Sequence, residues 1–202
     1  MTKKIFTYLI FSAIAVIAFA ANPSATKIVE KTLSTIRNAP SITSSMSVTS
    51  SGKTMKGSMT LSGDRFAFSS QEMCTWFDGK TLWSYSGNTN EVTLTEPTDE
   101  ELQEVNPFAY IKAARIGFNH KLISQNATVN VVELTPKAKS DVKKIVVTIN
   151  KSSNLPSKIA VTSTSGDLII TLTATKIGKG LSDDTFRFKK ANFPNAVIVD
   201  LR

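Results

Sequence analysis

The sequence predicts a mainly β protein with few helices (α+β), in which one antiparallel sheet forms a single domain. Stretches of alternating apolar and polar residues recur about every ten residues, and turns rich in Gly, Asn and Ser join them. Most of these connections are too short for the crossover helix that neighbouring parallel strands require. After the first 20 residues, no linker, composition shift or internal repeat divides the chain.

The N-terminal segment has the pattern of a secretory signal peptide. An apolar run follows Lys3 and Lys4, is shorter than the span of about 20 residues that crosses a membrane, and ends in the small-residue pattern Ala18-Phe19-Ala20. An N-terminal membrane anchor is the alternative. We predict that the signal peptide (1–20) is cleaved, or cut one residue later, and that the mature domain (21–202) is exported in soluble form.

One helix opens the mature chain, and strands follow it. Apolar residues recur at helical spacing from Ala25 to Ile36, Ser24 can cap this helix, and Pro40 ends it. From Ser41 onward the apolar period changes to two, which is typical of strands. Turns, most of which contain Gly, then separate strands predicted at 41–49, 55–61, 66–68, 73–77, 81–85 and 91–95.

Two short helices interrupt the strand series. Thr98 and Glu101 have the spacing of a capping box, and Asn106-Pro107 marks a second helix start with Pro at the first helical position. After Gly117 we predict further strands at about 121–125, 129–135, 143–150, 157–163 and 167–175. Short segments at 185–188 and 197–200 end the chain.

The predicted strands carry more apolar surface than one N-terminal helix can cover. The uncovered face must close into a barrel, pack on a second sheet or enclose a cavity. An ordinary sandwich core remains an alternative to a cavity, because large and flexible side chains fill cores as well as they line pockets. The candidates for this inner face are Met46, Met55, Met59, Phe66, Phe68, Trp83 and Tyr85.

The residue inventory indicates binding and not catalysis. A single Cys excludes an intramolecular disulfide and an all-cysteine metal site. His120, the one histidine, has no acidic or Cys neighbour in the sequence, and we expect it at the surface or in a loop. Cys74 lies in a predicted apolar strand. The carboxylates between Glu96 and Glu104 have the spacing of an acidic helix start. Since no nucleotide, hydrolase or calcium motif occurs, we expect no enzymatic activity, no cofactor and no metal site.

The net charge of +8 includes Lys3 and Lys4, which leaves +6 for the mature chain. Such a charge suits an acidic partner, an anionic membrane surface or a nucleic acid. The basic residues are scattered, and Lys143-Lys144 and Lys189-Lys190 are the only adjacent pairs after the signal peptide. We therefore expect no nucleic-acid partner. We attribute the charge mainly to basic side chains on solvated strand faces.

Short motifs follow one another along the chain: WFDGKTLWSY at 76–85, NPF at 106–108, VELTPK at 132–137, DDTFRF at 183–188 and VIVD at 197–200. As an ordered set behind a signal peptide, they resemble the periplasmic outer-membrane lipoprotein carriers, the LolA-like family. The resemblance spans about 22–202. It implies a strongly curved, incomplete β-barrel covered by the N-terminal helix and two short mid-chain lid helices.

The resemblance also implies a function in lipoprotein transport. Members of the family are periplasmic carriers that take acylated lipoproteins from an inner-membrane ABC exporter to an outer-membrane acceptor, without cofactor. We expect a monomer with transient membrane proximity, with Phe108 and Ile111 on the lid. The expected acyl-chain cavity is lined by Met46, Met59, Phe66, Phe68, Trp83 and Tyr85.

One position departs from the family pattern. The carriers have an arginine that ties down the lid, just after the strand that ends here near Leu61-Ser62, whereas this sequence has Gly63 there and Arg65 as the nearest arginine. The sequence leaves open whether Arg65 replaces it. The alternative function is a lipid- or lipoprotein-sensing regulatory module of the same fold. Such a module would usually be joined to a partner-binding domain, for which we expect no residues here.

Overall fold

The computed structural model describes residues 23–202, so the predicted signal peptide and its cleavage site lie outside the described residues. In the described part, the helices are α1 (Pro23–Asn38), α2 (Asp99–Val105) and α3 (Pro107–Gly117). The first six strands are β1 (Ser41–Ser50), β2 (Lys53–Ser62), β3 (Arg65–Ser70), β4 (Met73–Phe77), β5 (Leu82–Ser86) and β6 (Glu91–Thr95). The others are β7 (Phe118–Gln125), β8 (Val129–Pro136), β9 (Val142–Asn150), β10 (Pro156–Ser163), β11 (Gly166–Gly178) and β12 (Val197–Asp200).

All these strands form one 12-stranded sheet in the order β12-β6-β5-β4-β3-β2-β1-β11-β10-β9-β8-β7. Within the described residues the edge strands β7 and β12 do not pair, so the sheet is an unclosed barrel, and the fold class predicted from the sequence is confirmed. Every neighbouring pair is antiparallel except β6 and β12, which run parallel. This exception arises because the chain crosses the sheet after β11 and returns beside β6.

One face of the sheet, called here the inner face, forms the hydrophobic core. Residues directly opposite each other on paired strands lie on the same face, so the face can be followed from strand to strand. Leu61 pairs with Phe66, and Phe66 pairs with Phe77. On the other half of the sheet, Ile159 pairs with Val147. These side chains are at most 5% exposed, so the apolar face is continuous across the sheet.

The helices cover the inner face. Ala25 and Val29 of α1 are buried in the same apolar cluster as the strand residues. The start of α2 is the predicted capping box, in which Glu101 N–H donates to Thr98 Oγ1 and Thr98 N–H donates to the Glu101 carboxylate. The Phe108 N–H donates to Asn106 Oδ1 across 3.0 Å at the start of α3. Both predicted helix starts are confirmed.

The C-terminal segment covers part of the opposite, outer face. It contains two 3-10 helices, Asp183–Phe186 and Lys190–Asn192. The Phe193 ring lies 5.6 Å from Trp76 and 4.5 Å from Tyr85, between ring centroids. The sheet therefore has a second, smaller apolar cluster outside the main core.

Within residues 23–202, no helix is long and apolar enough to cross a membrane.

Candidate functional site

Four of the predicted cavity residues lie together at the centre of the inner face. Met59 pairs with Phe68, and Met46 pairs with Gly57 on one side and Leu172 on the other. The exposed fractions are 5% for Met46, 1% for Met59, 0% for Phe66 and 4% for Phe68. The space that these residues surround is therefore packed as a core in this structure.

A glycine makes room for the Phe68 ring. A Cβ atom on Gly57 would lie 2.7 Å from Phe68 Cε2 and 2.3 Å from the Ser69 carbonyl oxygen. The Phe68 ring thus lies over the bare backbone of β2. This close contact explains why a Gly interrupts an otherwise regular alternating strand.

The two predicted lid residues point into the same core. Phe108 is 4% exposed and Ile111 is 2% exposed, and both belong to the apolar cluster that contains Met59 and Phe66. Three positions apart, they share the buried face of α3. Their role as a lid stays a prediction, since it depends on a motion.

Trp83 and Tyr85 are on the outer face, so placing them with the other cavity residues is wrong. Phe77 and Leu82 pair on the inner face, whereas Trp83 pairs with Trp76 on the opposite one. The hairpin turn sets this register, because Asp78 N–H donates to the Thr81 carbonyl oxygen across 3.3 Å. A shift of one residue moves every side chain of a strand to the other face, and aromatic size alone does not reveal which face is buried.

At one end of the strands, the inner face is less well covered. We call Val48, Met55, Met73, Val142 and Leu168 the open rim. These side chains are half-buried and pack against the core cluster. They lie near the β1–β2 and β10–β11 turns, where Val48 pairs with Met55 and Ser50 pairs with Leu168. At the open rim, therefore, the apolar core is partly exposed to solvent.

A small groove reaches the core near the opposite strand end. Its volume is about 170 Å³. The buried side chains of Leu155 and Leu172 form its apolar part, and Asn150, Ser153 and Thr175 are among its polar lining. Leu172 is also the β11 neighbour of Met46, so the groove ends beside the centre of the inner face.

His120 is buried at 6% exposure on β7, in contrast to the surface position that the sequence indicates. Its Nε2 atom lies 2.7 Å from the Ala114 carbonyl oxygen, and its Nδ1 atom lies 3.2 Å from Thr26 Oγ1. Because a carbonyl oxygen only accepts, Nε2 carries the proton and donates. One side chain thereby joins α1, α3 and the sheet edge, a link that no local sequence signal reveals.

Arg65 lies on the outer face and holds the C-terminal segment. It forms an ion pair with Asp183, donates to Ser62 Oγ across 3.2 Å, and places its guanidinium 4.9 Å from the centre of the Phe186 ring. These contacts lead away from α2 and α3. Arg65 therefore does not tie down the lid in this structure.

A different ion pair connects α3 to the sheet. Lys112 Nζ lies 2.8 Å from Asp64 Oδ1 in the β2–β3 turn. The Lys112 side chain is 69% exposed and the Asp64 side chain is 75% exposed. Solvent screens such a pair, so it contributes about 0–1 kcal/mol and can break easily.

Asp78 organises the central hairpin. Partial burial raises the pKa of Asp78, but the N–H groups of Thr81 and Lys80 and the Arg187 guanidinium favour the charged form and lower that pKa below its ordinary value.

Among residues 23–202, no group of three or more His, Cys, Asp or Glu side chains could hold a metal ion.

A protein-family model matches most of the chain. The family model described as "Outer membrane lipoprotein carrier protein LolA" matches residues 14–165. A comparison with curated protein sequences finds no match.

Solved structures that resemble this chain have low sequence identity to it. An uncharacterized conserved protein from Thermus thermophilus superposes with a TM-score of 0.60 and 11% identity, over 88% of this chain and 99% of that chain. A MucA/MucB complex from Pseudomonas aeruginosa has a TM-score of 0.47 and 12% identity, over 82% of this chain and 61% of that chain. A putative outer membrane lipoprotein-sorting protein domain from Vibrio parahaemolyticus has a TM-score of 0.43 and 14% identity, over 85% and 98% of the two chains. The T. thermophilus structure shows that the fold occurs elsewhere.

Proposed function

Since the chain belongs to the family of outer membrane lipoprotein carrier proteins, we propose that it is a periplasmic carrier that binds the acyl chains of lipoproteins. The acyl chains bind on the inner face of the sheet, and the protein carries them from the inner to the outer membrane. An inner-membrane ABC exporter supplies the cargo and an outer-membrane acceptor receives it. The protein acts as a monomer and by binding alone, without catalysis.

The observation that carries this proposal is the construction of the apolar core. In the described residues, an unclosed sheet places Met46, Met59, Phe66 and Phe68 on one continuous apolar face, and short helices cover that face where a sandwich would have a second sheet. A helix cover can move away without breaking strand pairing. In such a core, the acyl chains of a ligand can take the place of the helix side chains that pack on the inner face.

The energetics of acyl transfer suit this exchange. Burial of each CH₂ group contributes about 0.8 kcal/mol, so a ten-carbon stretch contributes about 8 kcal/mol. Removing Phe108 and Ile111 from the core offsets part of that gain, which keeps the affinity moderate. Moderate affinity is what a carrier needs, because its cargo must leave again at the acceptor.

Entry of the acyl chain is proposed at the open rim. Met55 and Met73 have flexible side chains that adapt to an irregular ligand. Leu168 and Val48 continue the apolar surface inward to Ile170 and Met46. An acyl chain that enters along this path reaches the buried face of α3 only at the end, when the lid must yield.

A displacement experiment tests the proposed function. A fluorescent fatty-acid probe is bound to the purified protein and then challenged with a triacylated lipopeptide or with the same peptide lacking acyl chains. We expect displacement by the acylated peptide only. Equal displacement by both peptides would contradict the carrier function and would indicate a protein–protein site, as in a sensing module.

A matched pair of variants tests whether acyl chains enter at the open rim. Leu168→Ser makes the open rim more polar, and we expect slower uptake of the probe. Ile169→Ser changes the neighbouring residue, which is 38% exposed on the outer face, and we expect uptake as in the unchanged protein. Stopped-flow fluorescence measures both rates, and equal rates for the two variants would show that entry lies elsewhere.

A further inference from the structure

A basic groove lies between the first half of α1 and the β9–β10 turn. Its volume is about 350 Å³. We call it the lysine groove, and it is lined by Ser24, Lys27, Ile28, Lys31, Asn130, Lys151 and Asn154. No acidic side chain is part of this lining.

The lysines of the groove come from two elements and converge on one space. Lys27 and Lys31 are four positions apart and therefore share one face of α1, while Lys151 belongs to the turn. Across the side chains that the structure describes, none of the three forms an ion pair, and Lys151 Nζ contacts only the neutral Gln125 Oε1, at 3.4 Å. Glu30, the one acidic residue of α1, does not line the groove. The groove therefore presents uncompensated positive charge.

The turn that carries Lys151 is held in place. Lys151 N–H donates to the Thr128 carbonyl oxygen across 2.8 Å, and Asn154 N–H donates to the Asn150 carbonyl oxygen across 2.8 Å. Asn154 has a φ of 56°, in the left-handed region that Asn tolerates better than most residues. The backbone positions of the lysines are thus set before any ligand arrives.

The groove is continuous with the inner face. Asn130 pairs with Ile149, which is 2% exposed and belongs to the core cluster. Ile28 is half-buried and packs against the same cluster. Positive charge and amide donors therefore lie directly beside the end of an apolar surface, an arrangement that matches an amphiphile with an anionic head.

We infer that the lysine groove binds the phosphate-bearing headgroup of a phospholipid with net negative charge, whose acyl chains lie on the inner face. This inference rests on the acyl-binding inner face of the proposed function and extends its ligands from lipoproteins, whose acylated cysteine carries no phosphate, to phospholipids. It predicts a preference among phospholipids according to headgroup charge. The headgroup contacts act together with the apolar contacts, so neither part alone gives full affinity.

The test compares two soluble short-chain lipids with the same acyl chains, dioctanoyl phosphatidylglycerol and dioctanoyl phosphatidylcholine. Both displace the fluorescent fatty-acid probe from the purified protein at low ionic strength. With three exposed charge contacts, we expect the anionic lipid to bind about tenfold more tightly. The triple variant Lys27→Gln, Lys31→Gln, Lys151→Gln should lose this preference and keep its affinity for phosphatidylcholine.

A charge-matched control separates the groove from the general charge of the protein. The variant Lys56→Gln, Lys158→Gln, Lys176→Gln removes three exposed lysines from the outer face, and it should keep the tenfold preference. Loss of the preference in this control would overturn the inference. A wild-type protein that binds both lipids equally, or that binds neither while the acylated lipopeptide still displaces the probe, would also overturn the inference and leave the lipoprotein-carrier function intact. Failure of the acylated lipopeptide to displace the probe would contradict the proposed function itself.

Inorganic phosphate distinguishes a headgroup from a free anion. We expect phosphate alone to compete at least tenfold more weakly than the anionic lipid, because it lacks the apolar contacts. Lysine-dependent binding of phosphate as tight as that of the lipid would assign the groove to a free anion and overturn the headgroup assignment.

Discussion

His120 Nε2 donates a hydrogen bond to the carbonyl oxygen of Ala114 across 2.7 Å, and this bond joins the C-terminal part of α3 to the edge strand β7. The Nδ1 atom of the same ring meets Thr26 Oγ1 of α1 at 3.2 Å. The Ala114 carbonyl lies near the end of α3, where no further turn of helix supplies a donor. His120 therefore holds the C-terminal end of α3, whereas burial of Phe108 and Ile111 in the core holds the preceding part of the helix.

Removal of this link should loosen α3. For His120→Ala we expect a loss of about 2–3 kcal/mol in the free energy of unfolding, because buried polar partners lose their hydrogen bonds. Compared with the unchanged protein, the variant should show faster hydrogen exchange in 107–117 and little change in the central strands. Lys121→Ala, at the exposed neighbouring position, should change the free energy by less than about 0.5 kcal/mol. Unchanged hydrogen exchange in α3 of the His120 variant would show that this helix is held by its apolar face alone.

Phe108 should control acyl exchange as well as stability. Phe108→Ala removes a ring that is 4% exposed, so we expect a loss of about 3–5 kcal/mol, less if the helix settles into the space. Exchange of a fluorescent acyl peptide should become faster, since the lid no longer competes for the core. Stopped-flow fluorescence measures this rate, and circular dichroism verifies that the sheet remains folded.

Phe186 provides the control for that prediction. It is the same residue type and is fully buried, but it lies outside the main core cluster, beneath Arg65. Phe186→Ala should lower stability without changing acyl exchange. Equal exchange rates in the two variants would mean that exchange follows global stability, and that Phe108 is an ordinary core residue.

The two tryptophans should report from outside the binding site. Trp76 and Trp83 pair with each other on the outer face. A brominated acyl chain bound on the inner face should therefore quench their emission only weakly. In a Trp76→Phe, Trp83→Phe background, Phe77→Trp places one indole on the inner face, and we expect strong quenching. Strong quenching in the unchanged protein would place the acyl chain on the outer face.

Asp78 should make the stability of the hairpin depend on pH. Its pKa is lowered below the ordinary value of 3.8, against the effect of partial burial, by the N–H groups of Thr81 and Lys80 and by Arg187. A lowered folded-state pKa stabilises the fold above the ordinary pKa, and this contribution is lost as the pH falls through the lowered value. Asp78→Asn should cost about 1 kcal/mol at pH 7, and thermal unfolding should show a smaller difference near pH 3.

Asp64 serves as the comparison for Asp78. Its carboxylate pairs with Lys112 on the surface, where both side chains are mostly exposed. Asp64→Asn should change the free energy of unfolding by less than about 1 kcal/mol at pH 7. If both variants lost the same stability at both pH values, the hydrogen bonds of Asp78 would have no special role.

Local signals in the sequence were sufficient for most of the secondary structure. The caps at Thr98 and Asn106, the stop at Pro40 and the alternating strands all depend on residues a few positions apart, so they can be recognised without a fold. The apolar inner face and four of its central residues follow from the same alternation. Motif order along the chain then indicated the family.

Other features were decided by tertiary contacts. Whether Trp83 faces inward depends on the register of a hairpin, and the parallel pairing of β12 with β6 depends on where a long C-terminal segment crosses the sheet. The burial of His120 requires α1, α3 and β7 to meet. The lysine groove likewise joins α1 to a turn that is far away in the sequence. Such relationships link distant residues through packing, and a local pattern contains no information about which distant surface it will meet.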